Sequence, residues 1–285
     1  MRASWVVLTR GDRPRALTAA AESITRQEIG RHTQDVLVIG NGAAVDALPP
    51  ARSLNLPENV GVAAGRNAGI AATAGEIIFF LDDDASCASS ALTAATLDAF
   101  SADDRLGIVS FHISDPSGAT QRRHVPRLRI GDPAVSSAVT TFLGGACAIR
   151  RAMIDDIGAY PDAFFYAMEE TDLAWRALDA GWRIEYRGDL VVHHPATTPS
   201  RHGGAVRYTA RNRGWLARRR LPMPLAPVYL VIWCALTLVR VRSIAGAREA
   251  VYAFLEGLRE PAGERRPMRW STVWQMTRLG RPPIV

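Results

Sequence analysis

The sequence predicts an α/β domain on a mostly parallel central sheet flanked by helices, followed by a basic, mainly helical extension. Three observations carry that reading. Apolar runs recur in the first half as Trp5-Val6-Val7-Leu8, Val36-Leu37-Val38-Ile39 and Ile77-Ile78-Phe79-Phe80-Leu81. They are continuous rather than alternating, as in strands buried on both faces. Helix-like stretches separate them, which is what parallel neighbours need.

Each element has a local reason. Pro14 near a first turn opens a helix over 15–27. The second strand ends in the turn-forming Gly40-Asn41-Gly42, and a Pro-rich loop leads to an Ala- and Gly-rich helix over 64–74. A helix over 89–100 and strands over 107–113 and 142–149 follow, the last around Gly144-Gly145. Residues 168–180 read as a helix with acids in its first turn and Gly181 after its end, as the macrodipole and a glycine C′ residue prefer. The expected division is 1–200 for the α/β domain, in halves of about 1–100 and 101–200, and 201–285 for the extension.

Composition narrows the classes. The chain has 285 residues, 48% hydrophobic and 22% charged, enough for a sizeable core and unlike a disordered chain. Cys87, Cys147 and Cys234 are odd in number and far apart, which excludes a disulfide scaffold and a cysteine zinc site and fits a reducing, cytoplasmic compartment. No signal-peptide pattern precedes the first strand. All 34 basic residues are Arg. Residues 1–200 carry 18 Arg against 24 acids, whereas 201–285 carry 16 Arg against 4, a formal +12. The extension alone therefore favours an anionic partner, with nucleic acid and an anionic membrane surface both open.

Strand ends of such sheets collect ligands. Asp82-Asp83-Asp84 follows the third apolar run, and like charges packed there repel unless a cation or protons neutralise them. Mg²⁺ or Mn²⁺ would take such oxygen ligands, with Asp82 and Asp84 on one side and Asp83 on the other. A solvated acidic turn is the alternative. Glu169-Glu170-Thr171-Asp172 is a second cluster, in which Glu169 neighbours Asp172 and could pair with Arg176. Glu170 points about 100° away and could accept a hydroxyl proton across a cleft, although an acidic helix start is stabilising on its own. His193-His194 ends another apolar run; adjacent strand residues face opposite ways, so one at most would join a given metal.

Together these pieces resemble family 2 glycosyltransferases of the GT-A fold over roughly residues 3–200. The likeness rests on Thr9-Arg10-Gly11-Asp12-Arg13-Pro14, Val38-Ile39-Gly40-Asn41-Gly42, the stretch from Leu56 through Gly65-Arg66-Asn67 to Ile70, and Phe80-Leu81-Asp82-Asp83-Asp84. It continues through Phe142-Leu143-Gly144-Gly145-Ala146, Glu169-Glu170-Thr171-Asp172-Leu173 and His194. The resemblance implies inverting transfer from a nucleotide sugar, of the UDP or dTDP class, to an acceptor hydroxyl. It implies Mg²⁺ or Mn²⁺ on Asp82, Asp84 and His194, and Glu170 as base in a catalytic cluster with Glu169 and Asp172. Thr9, Arg13, Asn41, Arg66, Asn67, Asp82 and Asp83 would line the nucleotide-sugar pocket, and Gly144, Gly145 and Trp182 the acceptor side. Many members carry Asp before the Asn-Gly, where this chain has Gly40.

In the extension, 223–239 is uncharged and bounded by Arg218-Arg219-Arg220 and by Arg240 and Arg242. It falls short of the ~20 apolar residues of a membrane span and contains two prolines. Peripheral membrane contact through 205–245 on the inner face of the cell membrane, serving a polyprenyl-phosphate-linked acceptor, competes with packing on the catalytic domain or in a homo-oligomer. A nucleotidyltransferase is the rival enzyme. A nucleic-acid-binding protein is the rival outside enzymology, opposed by the net acidic first 200 residues.

Overall fold

The computed structural model describes residues 1–46, 48–196, 204–241 and 243–285. The first half contains β1 (Arg2–Thr9), α1 (Pro14–Thr25), β2 (Thr33–Asn41), β3 (Arg52–Leu56), α2 (Gly61–Ala71), β4 (Ile77–Asp82), β5 (Ser86–Cys87) and α3 (Leu92–Ala102). Then follow β6 (Leu106–Ser114), β7 (Ser137–Ala138), β8 (Ala146–Arg150), α4 (Arg151–Ile157), α5 (Glu169–Asp179) and β9 (Arg183–His193). Among the described residues the strands form one sheet in the order β3-β2-β1-β4-β8-β6-β9-β5, with β7 also on β9.

β3, β2, β1 and β4 are parallel, as the continuous apolar runs predict. β8 runs against both β4 and β6, so the sheet is mixed beyond β4, and β6–β9 is parallel again. Both faces are buried. Along β1, Val6 packs toward α2, α4 and α5, whereas Trp5 and Val7 pack toward α1 and α3. The glycines of α2 permit close seating: a Cβ on Gly69 would lie 2.5 Å from Val6 Cγ1, and one on Gly65 2.7 Å from Leu8 Cδ1.

Two elements differ from the sequence reading. β3 lies within the expected loop; it is an edge strand whose side chains are largely exposed, so it lacks an apolar run. The expected strand over 142–149 begins only at Ala146. Residues before it form a loop in which Asp82 N donates to Gly145 O at 2.9 Å, so the glycines lie beside the Asp cluster.

The extension forms α6 (Ala205–Arg220), α7 (Leu225–Arg240), α8 (Ile244–Arg259) and α9 (Trp270–Arg278). The expected boundary at 200 and the flanking Arg242 lie outside the described residues. Leu216, Tyr229, Met268 and Met276 share one buried cluster with Leu173 and Ala177 of α5. An ionic bolt joins them: Asp172, fully buried, accepts from Arg220 Nε at 2.7 Å and Arg176 Nε at 2.8 Å, with Arg219 Nε at 3.4 Å. Arg176 thus pairs with Asp172 and not with Glu169. Among the described residues no helix is long and apolar enough to cross a membrane.

Burial alone would raise the Asp172 carboxyl, but Arg176, Arg220 and Arg219 outweigh it and hold it below the ordinary range. Asp172→Ala leaves these cations without their shared anion and is expected to cost about 3–5 kcal/mol in urea unfolding. Because the folded-state pKa is depressed, the stabilisation is complete above the unfolded value of about 4 and is lost as pH falls below it. A loss below about 1 kcal/mol would show that the bolt holds nothing.

Candidate active site

The parallel pairing of β1 with β4 sets Leu8 opposite Asp82, so Thr9 and the Asp cluster emerge together at the carboxyl edge. Thr9 Oγ1 donates to Asp83 Oδ2 at 2.5 Å, and Arg13 pairs with Asp83 at 2.8 Å and with Asp84. Asp83 is therefore turned inward, while Asp82 and Asp84 face His194 beyond the end of β9. His194 Nε2 lies 3.1 Å from Asp84 Oδ1 and 3.8 Å from Asp82 Oδ2. Its Nδ1 lies 2.7 Å from the Pro195 carbonyl, a bond that assigns the proton to Nδ1 and leaves Nε2 to face the carboxylates. One ligand atom from each of the three falls within 4.8 Å of the others. Asp82's side chain is 49% exposed, so solvent reaches the cluster. Two carboxylates and an imidazole suit a divalent ion such as Mn²⁺ or Mg²⁺.

The second acidic cluster converges on the same place. Arg66, on α2 and nearly buried, donates from one terminal nitrogen to Glu170 Oε1 at 2.9 Å and Glu169 Oε1 at 3.4 Å. Its guanidinium carbon lies 5.9 Å from the Phe80 ring centre and 5.7 Å from that of Tyr160. Glu169 is buried, and among the described residues its Oε2 has no hydrogen-bond partner. Burial, with Glu170 beside it, raises its carboxyl well above the usual range against the pull of Arg66. The Gly144-Gly145 backbone walls the space: a Cβ on Gly144 would overlap Glu170 Oε1 and Arg66, and one on Gly145 the Asp82 carboxylate. The two clusters share one cleft.

The chain entering α5 is strained. Phe165, Ala167 and Met168 all have positive φ, at 61°, 67° and 71°. Asn212 on α6, fully buried, holds that segment with its amide 2.8, 2.9 and 2.8 Å from the carbonyls of Phe164, Tyr166 and Ala167.

A family-level match to Glycosyl transferase family 2 covers residues 14–158. The chain belongs to this family. It is 26% identical over 202 residues to the pre-mycofactocin glycosyltransferase of Mycobacterium tuberculosis, covering 65% of this chain and 40% of that relative's length. Its fold is that of GalNAc-T7 with UDP, GalNAc and Mn²⁺ (TM-score 0.64, 13% identity, 92% of this chain and 56% of that one). It is also that of the mannosyltransferase PcManGT from Pyrobaculum calidifontis with GDP-Man and Mn²⁺ (TM-score 0.57, 19% identity, 88% and 73%).

For this family 2 chain, several expected site residues need correction. Asn41 is held by backbone at both ends of its amide, donating to Gly61 O at 3.0 Å and accepting from Val60 N at 2.9 Å. Asn67 donates to Tyr160 O and Asp162, fixing the loop before α5. Arg66 faces the glutamates rather than an open nucleotide pocket. Asp172 is spent on its three arginines. Trp182 lies where β9 begins, against Gly107 and with Nε1 on Asp156 at 2.8 Å, at the opposite end of the sheet from the cleft. Gly40 has its own cause, since a Cβ there would collide with Ala43 O and, at 2.6 Å, with Asn55 Oδ1.

Sequence reasoning missed His124, whose ring meets His194 edge-on at 5.9 Å, and Asn212; both reach the site from distant segments without a motif. Burial, Arg123 and His194 lower His124 to about 4, so it is neutral at pH 7. Gly145→Ala forces the Asp82 carboxylate aside and is expected to weaken Mn²⁺ binding about tenfold or more in calorimetry. Unchanged affinity would show that Asp82 does not need its present place.

Proposed function

We propose that this chain transfers a sugar from a nucleotide-sugar donor, of the UDP or dTDP class, to an acceptor hydroxyl with inversion at the anomeric carbon. The observation that carries this is the convergence of Asp82, Asp84 and His194 with Glu170 on one cleft walled by Gly144-Gly145. Structures that share its fold hold UDP or GDP-Man together with Mn²⁺, which supports a nucleotide-sugar donor here.

Asp82, Asp84 and His194 would hold the ion, Mn²⁺ or Mg²⁺, which when bound neutralises negative charge on the donor diphosphate. The protein supplies the rest. Glu170, its Oε1 fixed by Arg66, takes the acceptor hydroxyl's proton as that oxygen attacks the anomeric carbon and the bond from this carbon to the diphosphate breaks, the nucleoside diphosphate leaving with the electron pair. Glu169, its carboxyl raised well above the usual range by burial, backs Glu170 through their shared Arg66. Gly144 and Gly145 let the two substrates meet against bare backbone. Glu170→Gln is expected to lower kcat by about 10²–10⁴-fold with donor binding intact. Asp84→Ala is expected instead to abolish the metal-dependent part of donor binding. Wild-type turnover in Glu170→Gln would remove it from the base role.

A membrane surface is the setting we propose for the reaction. On α7 the exposed Val228, Val231, Ala235, Leu238 and Val239 recur at helical spacing and form one outward stripe, with Val239 83% exposed. Trp270 and Trp274 of α9 and Tyr252 of α8 are also exposed, and the extension carries the formal +12. An apolar stripe set among arginines suits the headgroup region of an anionic bilayer on its cytoplasmic side. Flotation is expected to recover the chain with vesicles containing phosphatidylglycerol and to lose it when Val231 and Val239 are both changed to Asp. Equal recovery would assign the stripe to protein packing.

A further inference from the structure

A cavity of about 100 Å³ lies between α5, the segment leading to Gly144, α6, α7 and the last residues of the chain. Thr140, Thr171, Arg213, Tyr229, Trp233 and Arg281 line it, and no acidic side chain does. Among the described residues three buried polar atoms of this lining lack a hydrogen-bond partner: Arg213 Nε, Trp233 Nε1 and Thr140 Oγ1. Each can donate a proton. Buried donors without acceptors are costly and uncommon, and here they gather around one space.

The two guanidiniums sharpen the point. Arg213 donates to Tyr229 Oη at 3.0 Å and lies against the Trp233 face, its guanidinium carbon 3.3 Å from the ring centre. Arg281 Nε reaches the Val285 main-chain oxygen at 3.4 Å. Among the described residues neither forms a salt bridge with an Asp or Glu side chain, whereas Arg176 and Arg220 nearby both share Asp172. Burial lowers both guanidinium pKa values, and Arg213 depresses Arg281 further. The cavity therefore holds two guanidiniums with no Asp or Glu side chain opposite them, and an oxyanion with several acceptor oxygens would pair with both bidentately. Its volume admits a few waters or one phosphate-sized group and excludes a nucleotide.

We infer that this cavity binds a single phosphate group through Arg213, Arg281, the Trp233 N–H and the Thr140 hydroxyl. Its place gives the binding a use. Thr171 follows Glu170 directly on α5, and Thr140 stands four residues before Gly144, so the cavity and the cleft share these two segments. The site is thus an anchor for an acceptor that carries phosphate, or a sensor of free phosphate. The anchoring use rests on the transfer reaction proposed above; the binding itself does not.

The test is phosphate titration of the full chain by calorimetry, alongside its melting temperature. Saturable binding with a rising Tm is expected. Arg281→Gln near the chain end, and Thr140→Val as a second, isosteric variant, should each weaken it about tenfold or more, the order lost with a hydrogen bond to a charged group. Asp84→Ala should leave phosphate binding unchanged. No saturable binding to the unaltered chain, full binding in both cavity variants, or loss in Asp84→Ala overturns the inference, the last by locating the anion at the acidic cleft. Farnesyl phosphate separates the sources: binding at least tenfold tighter than inorganic phosphate assigns a lipid-borne group, and equal affinity assigns free phosphate. Phosphate binding requires no turnover, so failure here and failure of Glu170 as base are read out independently.

Discussion

Carboxylates crowd one end of this molecule, and the structure depends on cations threaded between them. Arg66 is central. It rises from α2, lies against the edge-on pair of Phe80 and Tyr160 rings and joins both glutamates that open α5. Without a positive charge there, Glu169 and Glu170 would repel across a low-dielectric gap, where a unit interaction is several times stronger than in water. Arg13 and His194 do the same for Asp83 and Asp84, and Arg176, Arg219 and Arg220 for Asp172. Two of these cation sets stay internal. Among the described residues of these clusters, Asp82 has its side chain half exposed and His194 at 3.8 Å as its cationic neighbour, while Asp84 shares Arg13 and His194, and an ion between the two suits that position.

The fold was legible where burial writes itself into consecutive residues. Trp5 to Leu8 and Ile77 to Leu81 lie between two layers of helices, so every position must be apolar and no alternation survives. β3 escaped notice because its exposed edge places no such demand on Arg52 to Leu56. The strand over 142–149 was drawn too long because Phe142 and Leu143 are apolar for a different reason: they pack as loop residues while Gly144 and Gly145 bend the chain past Asp82. Composition alone does not separate a buried loop from a buried strand.

Site legibility followed the same logic. Asp82 to Asp84 and Glu169 to Asp172 are runs of charge that a short window reveals, and the alternation of side chains separated Asp83 from its neighbours correctly. What sequence could not give was the partner of each group. Arg66 and Glu170 are 104 positions apart, and Arg220 and Asp172 are 48 apart. Asp172 looked as good a candidate as Glu170, yet one helical position decides that the former turns into the core and the latter into the cleft. Asn41 and Asn67 were polar residues in the right motifs, but buried backbone groups claimed their side chains first.

The residues matched by the family end at 158, and Glu170, His194, Asn212 and the cavity around Arg213 all lie beyond that point. The matched part supplies the parallel half of the sheet, the three aspartates and Arg66. The remainder holds the start of α5, because Asn212 occupies the carbonyls of the positive-φ segment before Glu169 and Asp172 ties α5 to α6. The extension is therefore part of the site's geometry rather than an appendage. A change in α6 would thus reach Glu169 and Glu170 through Asn212 and Asp172, while the contacts of the aspartate cluster with Thr9, Arg13 and His194 lie on other elements.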